Sequence, residues 1–197
     1  ISTDGKLILA GCEDGTVVCF NATGKPVARH CLNSRHGIAA PAHVALIIPD
    51  AQSVVVGSRS GPLVQMQLSD VSRTTELLRA PSQVSCVAVS ASGDSIAYGT
   101  TTKQFGIIIG LKGEERKNVH AETRSIPRAI HEMGSGWLVL LSTGELFSVA
   151  LEGGEVRVAQ QIEVDLRGIA AATFVGMDKV AYWSSRELVL YEIKSRR

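Results

Sequence analysis

The stretch Val84–Gly113, VSCVAVSASGDSIAYGTTTKQFGIIIGLKG, alternates small and apolar residues and turns at Ser92-Gly93-Asp94. It then runs apolar again, breaks at Thr101-Thr102-Lys103-Gln104 and closes on three isoleucines. Apolar runs of five to seven residues set between Gly, Asp and Ser turns predict short antiparallel strands, not a helix. The second run and its break recur along the chain as LILAGCEDGTVVCF, SVVVGSRSGPLVQMQL, SIAYGTTTKQFGIIIG, WLVLLSTGELFSVAL and VAYWSSRELVLYEI. Aligned on Gly11, Gly57, Gly99, Leu141 and Trp183, the five copies are spaced by 46, 42, 42 and 42 residues. A fixed period of this size marks a repeat architecture.

Each copy is preceded by a turn, for example Asp4-Gly5 or Pro49-Asp50. In the last four, a short apolar strand comes before that turn: HVALII, VSCVAVS, PRAIHEM and GIAAATFV. A more polar strand, PVARHCL, TTELLRA, RKNVHAE or VRVAQQI, follows each of the first four. The unit is therefore a four-stranded sheet with three apolar inner strands and a polar outer one at the water-facing edge. One such sheet cannot bury both of its faces, so the copies must stack face to face around an axis. The predicted fold class is all-β, a β-propeller of four-stranded antiparallel blades.

The blocks CVAVSASGDSIAYGT and ILAGCEDGTVVCFN, at this period, resemble WD-repeat propeller blades, and the resemblance covers nearly the whole chain. No copy closes on Trp-Asp and none opens on Gly-His; Phe20-Asn21 and Leu68-Ser69-Asp70 stand at the closing positions. The resemblance thus implies blades held more by packing than by the family's His and Asp hydrogen bonds. Counted in strands, the chain holds about four and a half blades, with pieces at 1–32, 43–80, 84–122, 126–162 and 168–194. The expectation is one partial propeller domain, an incomplete ring within a longer protein. Since family propellers most often have seven blades, the period implies about 100 further residues.

Bulk properties narrow the function. Lysine plus arginine (20) nearly balances aspartate plus glutamate (19), so the chain lacks the overall positive field of a nucleic-acid binder. Runs such as HVALII and GWLVLL are far shorter than the roughly 20 residues of a membrane-spanning helix, and membrane insertion is not expected. Cys12, Cys19, Cys31 and Cys86 lack the spacings of a zinc module, and the reading expects buried free thiols in a reducing compartment, cytoplasmic or nuclear. A Cys12–Cys19 disulfide is the alternative.

Catalytic motifs are sparse. His30, Cys31, His36 and His43 are zinc-type ligands, but they run from an outer strand through a loop to an inner strand, which spreads them apart. No serine sits in Gly-x-Ser-x-Gly, and the glycines of LEGGE and HEMGSGW read as hairpin turns. The inner strands offer an axial channel mostly Ala, Val, Ile and Ser, with only His43, Arg128 and His131 as candidate polar ligands. No catalytic residue, metal site or cofactor is expected.

In a propeller, the hairpin between second and third strands and the connection from one outer strand to the next inner strand emerge on the same face. These loops carry Arg35, Arg59, Lys103, Arg124, Arg167 and Arg186, close to one base per repeat. The opposite face collects Asp4, Asp50, Asp70, Asp94, Glu114, Glu115, Glu152, Glu155 and Asp178. Charges of the other sign lie near both sets, among them Glu13, Asp14, Glu122, Asp165 and Glu187 on the basic side, so ordinary mixed surface charge is the competing reading. Converging bases suit an acidic or phosphorylated peptide. The sequence thus predicts a non-catalytic protein-protein interaction scaffold of a multi-subunit complex, its ring closed by the rest of its own chain. The alternatives are a propeller enzyme with an axial-channel active site and a propeller that binds nucleic acid through its basic loops.

Overall fold

The computed structural model describes residues 5–12, 14–31, 42–47, 53–70, 73–113, 115–152, 155–162, 166, 169, 171–175, 179–183 and 187–193. Their regular structure is entirely β. The first sheet holds β1 (Leu7–Gly11), β2 (Thr16–Asn21) and β3 (Pro26–Cys31). The second holds β4 (Ala42–Ile47), β5 (Ser53–Ser58), β6 (Pro62–Gln67) and β7 (Thr74–Arg79). The third holds β8 (Val84–Val89), β9 (Ser95–Thr100), β10 (Gln104–Ile109) and β11 (Lys117–Glu122). The fourth holds β12 (Pro127–Met133), β13 (Gly136–Leu141), β14 (Leu146–Glu152) and β15 (Glu155–Ile162), and the fifth β16 (Ala171–Val175), β17 (Lys179–Trp183) and β18 (Leu188–Glu192). Every pairing is antiparallel between strands consecutive in sequence.

Four apolar layers fill the spaces between five sheets. Val17 meets Val54, Val56, Val64 and Met66 between the first and second. Val55 and Leu63 meet Val84, Ile96, Tyr98 and Ile108 between the second and third. Phe105 and Ile107 meet Trp137, Val139 and Leu141 between the third and fourth, and Leu138, Leu140 and Leu146 meet Ile169, Val180 and Tyr182 between the fourth and fifth. Period-two alternation explains the pattern: in β5, Val54 and Val56 face one neighbour and Val55 the other, and all three are buried. Second strands covered on both faces read as continuous apolar runs. The last strands β7 and β11 are exposed or half-buried along their whole length, matching their polar sequences.

The sheets meet at their first strands, with β4 against β8, β8 against β12 and β12 against β16. Close approach there depends on glycine. A Cβ on Gly57 would lie 2.6 Å from Val84 Cγ1, and one on Gly99 would lie 2.5 Å from Pro127 Cβ. The equivalent residue in the fourth sheet is Leu140, not the Leu141 that a 42-residue spacing selects. Gly99 pairs with Cys86 and Phe105, whereas Leu140 pairs with Ala129 and Leu146. The β13–β14 turn starts one residue early, with Gly144 where the earlier hairpins place Gly61 and Lys103.

Candidate functional site

The second-to-third-strand hairpins and the connections between sheets are hydrogen-bonded to one another, which places them on one face. Ala80 N donates to Gly61 O (3.0 Å), Thr101 N to Gln83 O (2.9 Å), Thr123 N to Lys103 O (2.7 Å) and Ser142 N to Ile126 O (2.8 Å). Three of the expected bases are described there. Arg59, on the β5–β6 hairpin, and Lys103, on the β9–β10 hairpin, are exposed, and among the described residues neither forms an ion pair. Arg124, on the β11–β12 connection, is also exposed, its Nη1 3.7 Å from Glu145 Oε1 on the β13–β14 hairpin. Arg35, Arg167 and Arg186 lie outside the described residues.

The opposite face differs in how its charges are used. Asp70 pairs with Arg73 at 3.3 Å, and Arg157 bridges Glu152 and Glu155 at 3.9 and 3.5 Å. Asp94 serves the backbone: its carbonyl accepts from Gly110 N and Leu111 N and its Oδ1 from Lys112 N. Among the described residues, these four carboxylates on this side are engaged within the fold while Glu115 is exposed, and on the hairpin face Arg59 and Lys103 remain open to solvent.

A hydroxyl network supports the basic face, beside the packing that the sequence leads one to expect. Ser58 Oγ and Ser60 Oγ share a hydrogen bond at 3.2 Å, and Thr100 Oγ1 and Thr102 Oγ1 share one at 3.1 Å. Ser82 Oγ meets Thr102 Oγ1 at 3.0 Å across the connection, and Ser125 bonds Ser142 in the same way one sheet further on. Ser58 and Thr100 are buried, so their hydroxyls need these partners. Ser58 and Thr100, 42 residues apart, share one register position, which Leu141 takes in the fourth sheet, so that Ser142 stands one residue further on.

The remaining candidates are accounted for by packing or position. His131 stacks on Phe174 with ring centroids 5.4 Å apart and 26° between planes. His120 is exposed on β11, and His36 and the side chains of His30 and His43 lie outside the described residues. All four cysteines are free. Cys19 and Cys86 are buried as expected, but Cys12 is only half-buried and Cys31 is exposed on β3, because that outer strand has water on one side. Burial pushes the Cys86 thiol up to about 12, which keeps it protonated and unreactive.

Sheets stacked through both faces, ordered from inner to outer strand and joined at their first strands, define a β-propeller of WD-repeat-like four-stranded blades, an incomplete ring over the described residues. Two solved structures share this fold. The chain superposes on the β-propeller domain of Cps50 (Swd1) from Myceliophteria thermophila with a TM-score of 0.67 at 15% identity, covering 98% of this chain and 68% of that one. It superposes on a chain of the Mitotic Checkpoint Complex with a TM-score of 0.74 at 12% identity, covering 96% of this chain and 62% of that one. No family model matches the chain, and no curated protein matches it in sequence.

Proposed function

We propose that this chain is a non-catalytic platform within a multi-subunit assembly, and that its hairpin face docks an acidic or phosphorylated segment of a protein partner. The observation that carries the reading is the contrast in charge use among the described residues: Asp70, Glu152 and Glu155 opposite are ion-paired and Asp94 is bonded to backbone, whereas Arg59 and Lys103 are exposed and without ion pairs. Arginine and lysine held on rigid hairpins suit carboxylate and phosphate partners. Buried apolar layers on both sides of the inner sheets give the rigidity that such a surface needs. A structural neighbour solved as part of the Mitotic Checkpoint Complex is consistent with an assembly role. The compartment proposed is the cytoplasm or nucleus.

The platform is further proposed to be one part of a larger propeller whose remaining blades cover its two end faces. Support comes from apolar side chains exposed there: Trp183, Leu188 and Leu190 at one end and Ile8 at the other. The chain also spans only 68% and 62% of the two propeller chains it resembles.

The test is charge reversal. Arg59→Glu with Lys103→Glu should abolish recovery of the native partner in affinity purification while shifting the unfolding midpoint by less than about 0.5 kcal/mol equivalent. Undiminished recovery retires the docking face. Recovery of nucleic acid in place of protein, lost in steps as salt rises, replaces it with backbone binding.

A further inference from the structure

The first strand of each complete sheet carries a bulge near its start. The register skips between Ala42 and Val44 in β4, between Val84 and Cys86 in β8 and between Pro127 and Ala129 in β12. The extra residues are His43, Ser85 and Arg128, so three sheets set the same structural position to three polar residues on the innermost strands. A bulge leaves its extra residue out of the ladder and re-aims its side chain, which is why such positions recur beside functional sites.

Ser85 shows what the position does when its needs are met: its Oγ donates to Pro127 O at 2.7 Å, from one sheet to the next. Arg128 differs. Its Nε is buried and has no hydrogen-bond partner. Among the described residues, Arg73, Arg79, Arg124 and Arg157 each lie within 4 Å of a carboxylate, and Arg128 does not. The guanidinium sits close enough to the Cys86 thiol of β8 to act on it electrostatically, and that thiol is neutral. A buried N–H donor left without an acceptor is costly, so Nε–H calls for an acceptor that the described chain does not supply.

We infer that Arg128 holds an oxyanion, a carboxylate or a phosphate, at the inner rim between β8 and β12. The guanidinium offers Nε–H and Nη–H in a planar fork that matches two oxygens of either group. This site goes beyond docking on the hairpins and stands whether or not that face binds protein.

The experiment reads Nε directly. In the complete protein, the Arg128 Nε–Hε resonance is followed by 15N NMR while inorganic phosphate or acetate replaces chloride at constant ionic strength, with calorimetry alongside. A saturable shift with phosphate assigns a phosphate site, and one with acetate a carboxylate site. Arg128→Gln should weaken that binding by about tenfold or more, with Arg128→Lys between, because lysine keeps the charge and loses the fork. No saturable shift with either anion, or a resonance already protected and indifferent to both, assigns the donor to a bound water and overturns the inference. Unchanged affinity in Arg128→Gln overturns it as well. Should that variant fail to fold, the titration of the unsubstituted protein decides alone.

Discussion

The third and fifth sheets are written in the same alphabet and live in different surroundings. In β9 of the third sheet, Ile96 and Tyr98 face the second sheet while Ala97 faces the fourth, and all three are buried. In β17 of the fifth, Val180 and Tyr182 are buried against the fourth sheet, while Trp183, on the opposite side, is 52% exposed. It pairs in register with Leu188, 67% exposed, and Leu190 beside it is 60% exposed. Two apolar faces on one strand are the mark of a sheet made for two neighbours. The fifth sheet shows one of them.

Paired truncations break or sharpen this comparison most strongly. Ile96→Ala removes a fully buried side chain between two packed sheets and should cost about 2–5 kcal/mol in denaturant unfolding. Leu190→Ala in the 197-residue chain should cost less than about 0.5 kcal/mol, since its side chain leaves water very little. In the complete protein the same change should rise to about 2 kcal/mol or more if a further blade covers that face. A negligible cost in both settings would show that the face stays open, and the proposal of additional blades would fall.

A smaller effect is expected at the junctions. Gly99→Leu copies into the third sheet the leucine that the fourth carries at the equivalent position, Leu140. Its Cβ would meet Pro127 at 2.5 Å and the Cys86 sulfur at 2.8 Å, so the first strand of the fourth sheet must retreat. Overpacking of this kind costs about 1–3 kcal/mol. A neutral outcome would mean that Pro127 and Cys86 give way to a larger side chain without cost, and that glycine at this pivot is incidental.

The stacking was legible in the sequence because burial on both faces leaves continuous apolar runs such as Ser53–Gly57, and because hairpins carry Gly-rich turns at a steady interval. Period alone does not reveal where a turn moves by one residue, which is why Leu141 was selected and Leu140 occupies the pivot. Bulges escaped for the same reason: an extra residue in a ladder is defined by its partner strand, and His43, Ser85 and Arg128 share no side-chain chemistry that would align them. For the candidate face, the bases could be placed on common loops from strand order. Glu145 opposing Arg124 could not, since the two are brought together only by the approach of a hairpin to a connection.

The last comparison is among the hairpins themselves. Gly15, Gly61 and Gly144 take positive φ at the fourth turn residue, where Lys103 holds φ at 65° as the one non-glycine residue in that region among those described. A side chain there costs roughly 1–2 kcal/mol, and the surroundings enforce it: Lys103 N donates to Thr100 O, while Thr123 N and Thr123 Oγ1 both donate to Lys103 O. Lys103→Gly relieves the strain but frees the unfolded chain, so the net gain should be about 0.5–1 kcal/mol, seen as a higher urea midpoint at unchanged slope. If the ammonium serves the docking face, the same variant should bind its partner less well, stability and function moving in opposite directions. A variant that gains stability and keeps full binding would leave Lys103 as strain without a use, and would shift the case for the basic face onto Arg59.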